Sequence, residues 1–389
     1  MNNMENENSI LDKIIHSKQE KDAYLFNAQD LVSEMLNNLS QKEREVIVRR
    51  FSLDGAPKQT LEEIGKTHSI TRERIRQIQS SAIKKIKDLR DIDRSIETFL
   101  ATAKRVLANH GGAMEEDHFL DELLVYAENT PMHRQSTKFV ISQLLDDHVV
   151  RIRKGANVLP GWKLKTTPME VVDEILYTIH DILEKQEQLL KLEEIISHFK
   201  SHEYFTVSRD KVRALLSSDI SDDEMDDDKI GRVILAHLTI GRKLDKNILD
   251  EWGFVHWPTV VPKRMGDKIY LILKKEGKPM HFTAITTAIN DANFDKKVAY
   301  PATIHNELIL DSRFVLVGRG IYALKEWGYE KGTVADVIEE ILKKSQSPLH
   351  KEAIVNAVSE KRLVKKSTIY LALTNKNRFR KEEGGYTVA

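Results

Sequence analysis

Three helix-start signals lie close together in residues 40–71 and limit how this part of the chain can fold. Ser40 with Glu43 and Thr60 with Glu63 have the spacing of capping boxes, in which a hydroxyl and a carboxylate satisfy the first backbone amides of a helix. Thr71 is a third N-cap candidate, and residues 68–70 alone separate it from the second helix. The pattern predicts a helix-turn-helix bundle. An amphipathic helix precedes it, with one apolar face formed by Leu31, Val32, Met35, Leu36 and Leu39.

The helix that follows Thr71 separates polar from apolar side chains. At about 100° per residue, isoleucines lie on one side and a polar face spans about 140° on the other. That face contains Arg72, Glu73, Arg76 and Gln77, beginning in the first turn. Arg, Gln and Glu can pair with guanine, adenine and cytosine edges, and the first turns of a recognition helix enter the major groove. The pattern predicts base reading, and the alternative is a solvated face in which Glu73 pairs with Arg76 or Arg74.

The distribution of charge is compatible with a nucleic-acid partner although the formal net charge is +0. Residues 41–90 contain 13 Lys and Arg against 7 Asp and Glu, whereas residues 219–228 contain seven acids and no base. Phosphates respond to local charge, because fields are screened beyond roughly 8–10 Å. Sequence-independent contacts to the DNA backbone are predicted for basic residues around the helix, namely Lys42, Arg50, Lys84, Lys85 and Lys87.

An internal repeat occupies the C-terminal part of the chain. The tetrapeptide Ile-Leu-Lys-Lys starts at Ile272 and again at Ile341, an offset of 69 residues. Matched Pro, His, Ile and Ala positions follow, and Arg-Phe and Tyr recur near the end of each copy at Arg313 and Arg378. Each copy has three helical segments and a short Gly-containing β-rich end, which predicts a winged helix. Two looser relatives of this pattern lie upstream.

The predicted fold class is therefore mainly α, with a helix-turn-helix bundle followed by several winged-helix modules that carry small β wings. The expected organisation is a mobile tail at 1–27, the bundle at 28–92, winged-helix-like modules at 93–166 and 167–260, and repeat modules at 261–330 and 331–389. The 167–260 module contains the acidic run 219–228, for which a solvated loop is expected.

The segment from Leu39 to Lys87, above all 60–66 and 70–78, closely resembles region 4 of housekeeping-type sigma factors. The resemblance implies that Arg72, Glu73, Arg76 and Gln77 contact bases of a −35-type promoter element. It further implies that an apolar groove at Val46, Ile47 and Phe51 grips the flap-tip helix of the RNA polymerase β subunit. Contacts at or near the DNA backbone are implied for Lys42, Arg50, Leu61, Glu62 and Thr71.

The sequence departs from the sigma pattern at Gln79 and Ser80, and at Lys42 where arginine is common, all outside the main base-reading positions. No aromatic-rich segment like sigma region 2 precedes residue 35, so promoter opening by this chain alone is not expected. The repeats at 262–328 and 331–389 resemble the HARE-HTH winged helix, the type found at the N-terminus of the RNA polymerase delta subunit. That resemblance implies a part in transcription or other DNA transactions without identifying the binding surface.

Several other functional classes are disfavoured by composition. The chain contains no cysteine, no apolar run of about 20 residues and no signal-like start, which predicts a cytoplasmic protein without membrane contact. No catalytic constellation, cofactor motif or metal site is predicted, and the histidines of the repeats are interpreted as helix caps or packing residues. From the resemblance, the expected location is a bacterial cytoplasm, in association with the nucleoid.

The predicted function is a sigma-like, sequence-specific transcription factor that binds double-stranded promoter DNA while docked on RNA polymerase core. Two alternatives remain open. One is a polymerase-associated modulator or repressor that does not open promoters, and the other is a DNA-processing enzyme. The Glu-Gly-Lys run at 276–278 is nuclease-like, but no accompanying core sheet is predicted.

Overall fold

The chain forms two compact units, Met1–Asp245 and Lys246–Ala389. The computed structural model describes residues 27–89, 93–125, 127–208, 211–212, 227–329, 332–345, 347–362, 364–382 and 384–389. The tail predicted at 1–27, except for residue 27, and the acidic run 219–228, except for its last two residues, lie outside this description.

The first elements described in the first unit are four helices: α1 (Ala28–Asn37), α2 (Gln41–Phe51), α3 (Leu61–Thr67) and α4 (Arg72–Lys87). Both predicted capping boxes are formed. The Ser40 backbone amide donates to the Glu43 carboxylate at 3.1 Å and the Thr60 amide to Glu63 at 2.6 Å. The Thr71 hydroxyl accepts from the backbone amide of Arg74 at 3.2 Å. These caps confirm the predicted helix starts.

A winged helix follows in the same unit. Its elements are α5 (Asp93–Asn109), β1 (Ala113–Glu115), α6 (Glu116–Leu123), α7 (Pro131–Leu144), β2 (Val149–Ile152) and β3 (Gly161–Leu164). The three strands form an antiparallel sheet in the order β1-β3-β2. Gly161 is required in β3, because a Cβ there would lie 2.2 Å from the Met114 carbonyl oxygen.

Longer helices complete the first unit. They are α8 (Met169–Gln186), α9 (Leu192–Ser201), the short α10 (Glu203–Val207) and α11 (Asp227–Ile240), and strand β4 (Leu244–Lys246) follows. Helix α8 buries Val172, Ile175, Leu176, Ile179 and Leu183. These residues recur every three or four positions, so they form one apolar stripe.

One hydrophobic core crosses the predicted boundary between the helix-turn-helix bundle and the first winged helix. It includes Met35 and Ile47 from the bundle and Phe119, Phe139 and Trp162 from the winged helix. A second, smaller core joins the helices of the bundle through Val46, Ile64 and Ile75. The bundle therefore packs with the following module instead of standing apart from it.

The first repeat lies in the second unit. After β5 (Trp252–Phe254) come α12 (Met265–Glu276), β6 (Met280–His281), α13 (Phe282–Ala292), α14 (Pro301–Leu310), β7 (Phe314–Gly318) and β8 (Ile321–Leu324), and a 3₁₀ turn (Lys325–Trp327) ends the copy. The strands pair antiparallel in the order β6-β8-β7, as in a winged helix. Gly320 has φ +70° in the wing turn, a conformation that glycine adopts without strain.

The second repeat has the same helix order: α15 (Val334–Lys344), α16 (Lys351–Lys361), α17 (Lys366–Leu373), then β9 (Phe379–Glu382) and β10 (Gly385–Val388). Repeat positions have matching environments, since Ile285 and Ile354 are both fully buried, as are Ile304 and Ile369. The two histidines of the repeat also match, because His281 and His350 occupy the N-cap positions of α13 and α16.

The fold class is confirmed as mainly α with small antiparallel strand pairs. The residue boundaries of the individual modules stay predictions. Among the described residues, no helix combines the length and apolar character needed to cross a membrane.

Candidate nucleic-acid interface

The turn between α3 and α4 sets the angle at which α4 is presented. Gly65 lies inside α3, and a Cβ there would be 2.7 Å from the backbone oxygen of Ile70. The Ile70 amide donates back to the Gly65 carbonyl at 3.0 Å, and Ser69 adopts a left-handed φ of +56°. The chain can therefore reverse tightly here only because residue 65 lacks a side chain.

We expect Gly65→Ala to destabilise the first unit by roughly 1–3 kcal/mol, because the new methyl group meets backbone and not a flexible side chain. Replacement of a glycine inside a helix by alanine ordinarily stabilises the helix, by up to ~1 kcal/mol. A loss of stability, measured by urea unfolding, is therefore diagnostic of the tight turn. Gly231→Ala is the matched control, because Gly231 also lies inside a helix, α11, and its Cβ would meet a terminal methyl group of Ile196 at 3.2 Å. Unchanged or increased stability of Gly65→Ala would contradict the argument.

Helix α4 has the two faces that its sequence predicts. Ile75, Ala82 and Ile86 have no exposed surface, and they fasten the helix to the rest of the bundle. Arg72, Glu73, Arg76 and Gln77 are all exposed, and they occupy the first two turns. The four predicted base-reading residues thus share one exposed surface, called the α4 face below.

Side chains on the α4 face hydrogen-bond to one another. The Arg76 guanidinium donates twice to the Glu73 carboxylate, at 2.9 and 2.7 Å, and the Arg74 guanidinium donates to the Gln77 side-chain oxygen at 3.1 Å. The bonds from Arg76 lower the pKa of Glu73 and raise the pKa of Arg76. The pairing that the solvated-face alternative anticipates is therefore present. Such exposed pairs contribute about 0–1 kcal/mol, so they restrain these side chains only weakly.

The predicted backbone-contact residues fall into two groups. Lys42, Glu62, Thr71, Lys84 and Lys85 are exposed, whereas Arg50 and Leu61 are half-buried. Arg50 donates to the backbone oxygen of Gln59 at 3.1 Å, and Glu62 pairs with Lys66 at 3.1 Å. The first bond joins α2 to the segment that precedes α3, so Arg50 already has a structural role.

Lys85 is also engaged within the bundle. Its ammonium group donates to the Glu43 carboxylate at 2.7 Å. This hydrogen bond is the main cause that lowers the pKa of Glu43. The side chain of Lys84, one residue earlier, makes no ion pair or hydrogen bond with the described residues. Of these two lysines, Lys84 is the better placed to contact phosphate without losing an internal partner.

The residues predicted for the polymerase flap are covered. Val46 and Ile47 have no exposed surface and lie in different cores of the first unit. Phe51 is half-buried, and its ring packs edge-on against Phe139 of α7 with 5.0 Å between ring centroids. Phe139 belongs to the following winged helix, which the sequence treats as a separate module.

Three basic residues in or next to the wings form ion pairs. Arg151 pairs with Glu116 at 2.9 Å, Arg313 pairs with Asp267 at 2.9 Å, and Arg378 pairs with Asp336 at 2.7 Å. Helix α14, at the position of a recognition helix in the first repeat, contains no Lys or Arg, and its Ile309 and Leu310 are exposed. Helix α4 presents an exposed Arg-Glu-Arg-Gln face, which α14 lacks.

A cluster that the sequence did not predict lies elsewhere in the first unit. One ligand-type atom from each of His110, His118 and Glu122 lies within 4.8 Å of the other two. Burial lowers the pKa of His118 to about 4 and also lowers the pKa of His110. His118 and Glu122 are four residues apart on α6, a spacing that could have signalled the cluster, but His110 joins them only through the fold.

A tight turn, a buried apolar face and an exposed Arg-Glu-Arg-Gln face are typical of helix-turn-helix proteins that bind DNA. Comparison with protein families is more specific. Residues 35–88 match the family described as Sigma-70, region 4. Residues 265–327 match the HARE-HTH family, whose description names ASXL and a restriction endonuclease HTH domain. The resemblance to sigma region 4 and that of the first repeat to HARE-HTH are confirmed, and the HARE-HTH resemblance of the second repeat stays a prediction.

Curated relatives match the same segment. RNA polymerase sigma factor RpoD of Helicobacter pylori is 51% identical over 57 residues, which is 14% of this chain and 8% of that protein. Sigma factor SigA of Lactococcus lactis subsp. cremoris is 42% identical over 59 residues, 15% of this chain and 16% of that protein. SigA of Clostridium acetobutylicum is 47% identical over 53 residues, 14% of each chain.

The chain thus spans less than a fifth of the length of these relatives, with matched shares of 8%, 16% and 14%. The matched regions support a DNA-binding, sigma-like role in transcription. The family match covers the end of α1 and all of α2, α3 and α4, the part of the chain that carries the α4 face.

Proposed function

We propose that this chain is a sequence-specific transcription regulator that reads a −35-type promoter element with the α4 face. The proposal rests on one observation. The first two turns of α4 expose Arg72, Glu73, Arg76 and Gln77, and Ile75 of the same helix is fully buried. The match of residues 35–88 to sigma region 4 supports the same assignment.

Energetics favour DNA contact over the solvated-face alternative once a matching sequence is present. A good bidentate contact between a side chain and a base contributes ~1–3 kcal/mol of discrimination. The Glu73–Arg76 pair is exposed by more than half on both sides, so opening it costs about 0–1 kcal/mol. In the absence of DNA, the hydrogen bonds within the α4 face therefore restrain the arginines and Gln77 only weakly and do not prevent base contact.

Contacts to the DNA backbone would come from residues around the α4 face. Lys42 and Lys84 supply positive charge for the phosphates. Thr71 lies at the N-terminus of α4, where a helix favours an anion. Leu61 and Glu62 are the first two residues of α3, the helix that precedes α4 in the chain. Arg50 and Lys85 can contribute only if the Gln59 and Glu43 contacts are shared or released.

Lys84→Ala is expected to weaken binding to preferred and random DNA by the same factor. Because a phosphate contact releases about one counterion, the slope of log K against log salt should become shallower by about one. Fluorescence anisotropy at several salt concentrations measures both quantities. Lys229→Ala removes the same charge outside the segment matched to sigma region 4, and it serves as the control. A sequence-selective loss for Lys84→Ala would contradict the assignment to phosphate.

We propose RNA polymerase core as the protein partner, because sigma region 4 supports an association with polymerase. The flap groove inferred from the resemblance would need a change in the first unit, since Phe51 packs on Phe139 and Val46 and Ile47 are fully buried. This covered groove favours the second candidate function, a polymerase-associated modulator or repressor that occupies the promoter element without opening DNA. The protein would act in the bacterial cytoplasm, at the nucleoid.

In vitro transcription with purified polymerase core separates the two candidates. An initiation factor produces new start sites when added to core alone, whereas a modulator changes transcription only when a complete sigma factor is also present. Selection of bound sequences from random DNA identifies the element. If no sequence is enriched and Arg76→Ala leaves binding unchanged, the proposal of promoter reading is wrong. A nicking assay with Mg²⁺ tests the remaining enzyme alternative, for which we expect no activity.

A further inference from the structure

We infer that His110, His118 and Glu122 form a site for one zinc-type divalent cation in the first winged helix. This site is independent of the promoter-reading proposal, because none of its residues lies in the α4 face. The three ligand-type atoms lie within 4.8 Å of one another. Two imidazoles and a carboxylate are the ligand set of many three-ligand zinc sites.

The hydrogen bonds of His110 decide which of its nitrogens is available. Its Nδ1 lies 2.8 Å from the Val106 carbonyl oxygen. A carbonyl oxygen can only accept, so Nδ1 carries the proton and the lone pair of the neutral ring is at Nε2. That Nε2 is 4.0 Å from the Glu122 carboxylate, too far for a hydrogen bond.

The same reasoning applies to His118. Its Nδ1 lies 3.0 Å from the Thr239 hydroxyl oxygen, and that hydroxyl donates to the Ala236 carbonyl at 2.9 Å. Because the hydroxyl proton is used in this way, the oxygen accepts from His118, and Nδ1 of His118 is the donor. The lone pair of His118 is therefore also at Nε2. Both rings have the outer hydrogen bond that normally orients a metal-bound histidine.

With Nε2 as the ligand atom of each histidine, the cluster gathers acceptors without a donor between them. Two Nε2 lone pairs and a carboxylate have no proton to share among themselves, and a cation is the partner that this set lacks. Tetrahedral zinc with bonds of about 2.0–2.2 Å separates its ligand atoms by about 3.3–3.6 Å. The site must therefore contract by about 1 Å. Glu122 can supply that movement, because its side chain is 41% exposed whereas that of His110 is 5% exposed.

Charge limits the affinity and leaves room for a fourth ligand. Glu122 supplies one negative charge, whereas the guanidinium of Arg232 acts on His110 and opposes a dication. We therefore expect weaker binding than in closed four-ligand sites. The exposed side chain of Glu122 leaves that side of the site open to water as the fourth ligand. Bound zinc would tie the residue after α5 to α6.

Isothermal titration of the full chain with ZnCl₂, after dialysis against a chelator, tests the inference. We expect one zinc per chain, at least about tenfold weaker binding in Glu122→Gln, and loss of this binding in His118→Ala. His148→Ala is the matched control, since His148 is an exposed histidine of the same winged helix. Glu122→Gln changes a partly exposed side chain, so it keeps the test valid if His118→Ala does not fold.

A second measurement distinguishes this site from weak surface binding. Zinc should raise the melting temperature of the wild-type chain and of His148→Ala, and it should have no effect on Glu122→Gln, because a ligand stabilises only the state that binds it. Absence of a zinc-dependent shift in the wild type, or equal shifts in Glu122→Gln and wild type, would overturn the inference.

Discussion

Gln77→Ala is expected to weaken binding to the preferred promoter sequence by ~1–3 kcal/mol, which is about 5- to 150-fold, and to leave binding to random DNA nearly unchanged. The Gln77 amide can both donate to and accept from one adenine edge, whereas alanine offers no polar group. The internal cost of releasing Gln77 is small, because its hydrogen bond from Arg74 at 3.1 Å is exposed. Arg76→Ala should give a similar selective loss at a guanine position.

The measurement is a comparison of anisotropy titrations on the selected element, on single-base variants of it and on random duplex. Loss of discrimination at one base position identifies the partner of Gln77. Gln186→Ala is the control, because this exposed glutamine ends α8, outside the segment matched to sigma region 4. An equal loss on all sequences would refute base reading by Gln77 and would leave phosphate contact as its role.

Phe139→Ala is expected to destabilise the first unit by ~3–5 kcal/mol, the usual range for truncation of a buried phenylalanine. Phe139 is 1% exposed and contributes to the core that includes Met35 and Ile47 of the helix-turn-helix bundle. Truncation leaves a cavity beside Phe51, so α2 loses packing although the substitution lies on α7. Urea unfolding followed by tryptophan fluorescence, to which Trp162 of this core contributes, measures the loss.

Hydrogen exchange tests whether the core is shared. If the bundle and the winged helix are packed as one unit, Phe139→Ala should reduce amide protection in α1 and α2 as well as in α7. Leu371→Ala is the control, because Leu371 is 72% exposed and surface truncations usually change stability by less than about 0.5 kcal/mol. Unchanged protection in α2 would show that the two modules are stable independently. The same variant should bind polymerase core more readily if Phe139 covers a docking groove.

The helix starts and the two faces of α4 could be predicted because their causes are local. A capping box depends on residues three positions apart, as in Ser40 and Glu43, and the burial of Ile75 and Ile86 follows from helical periodicity. The winged helices of the second unit could be predicted because the repeat places Ile285 and Ile354 in equivalent cores. The pairing of Glu73 with Arg76 was also open to prediction, since i,i+3 side chains are neighbours on a helix.

Contacts between distant segments were decided only by the tertiary structure. The sequence treats Phe51 as part of a partner groove, but the fold places Phe139 against it. Lys85 is engaged by Glu43, and His110 joins the i,i+4 pair of His118 and Glu122. No local spacing connects Lys85 with Glu43 or His110 with that pair. The physical reason is that a cap or an amphipathic face is an interaction of neighbours along the chain, whereas the cover over an apolar surface depends on which modules bury it together.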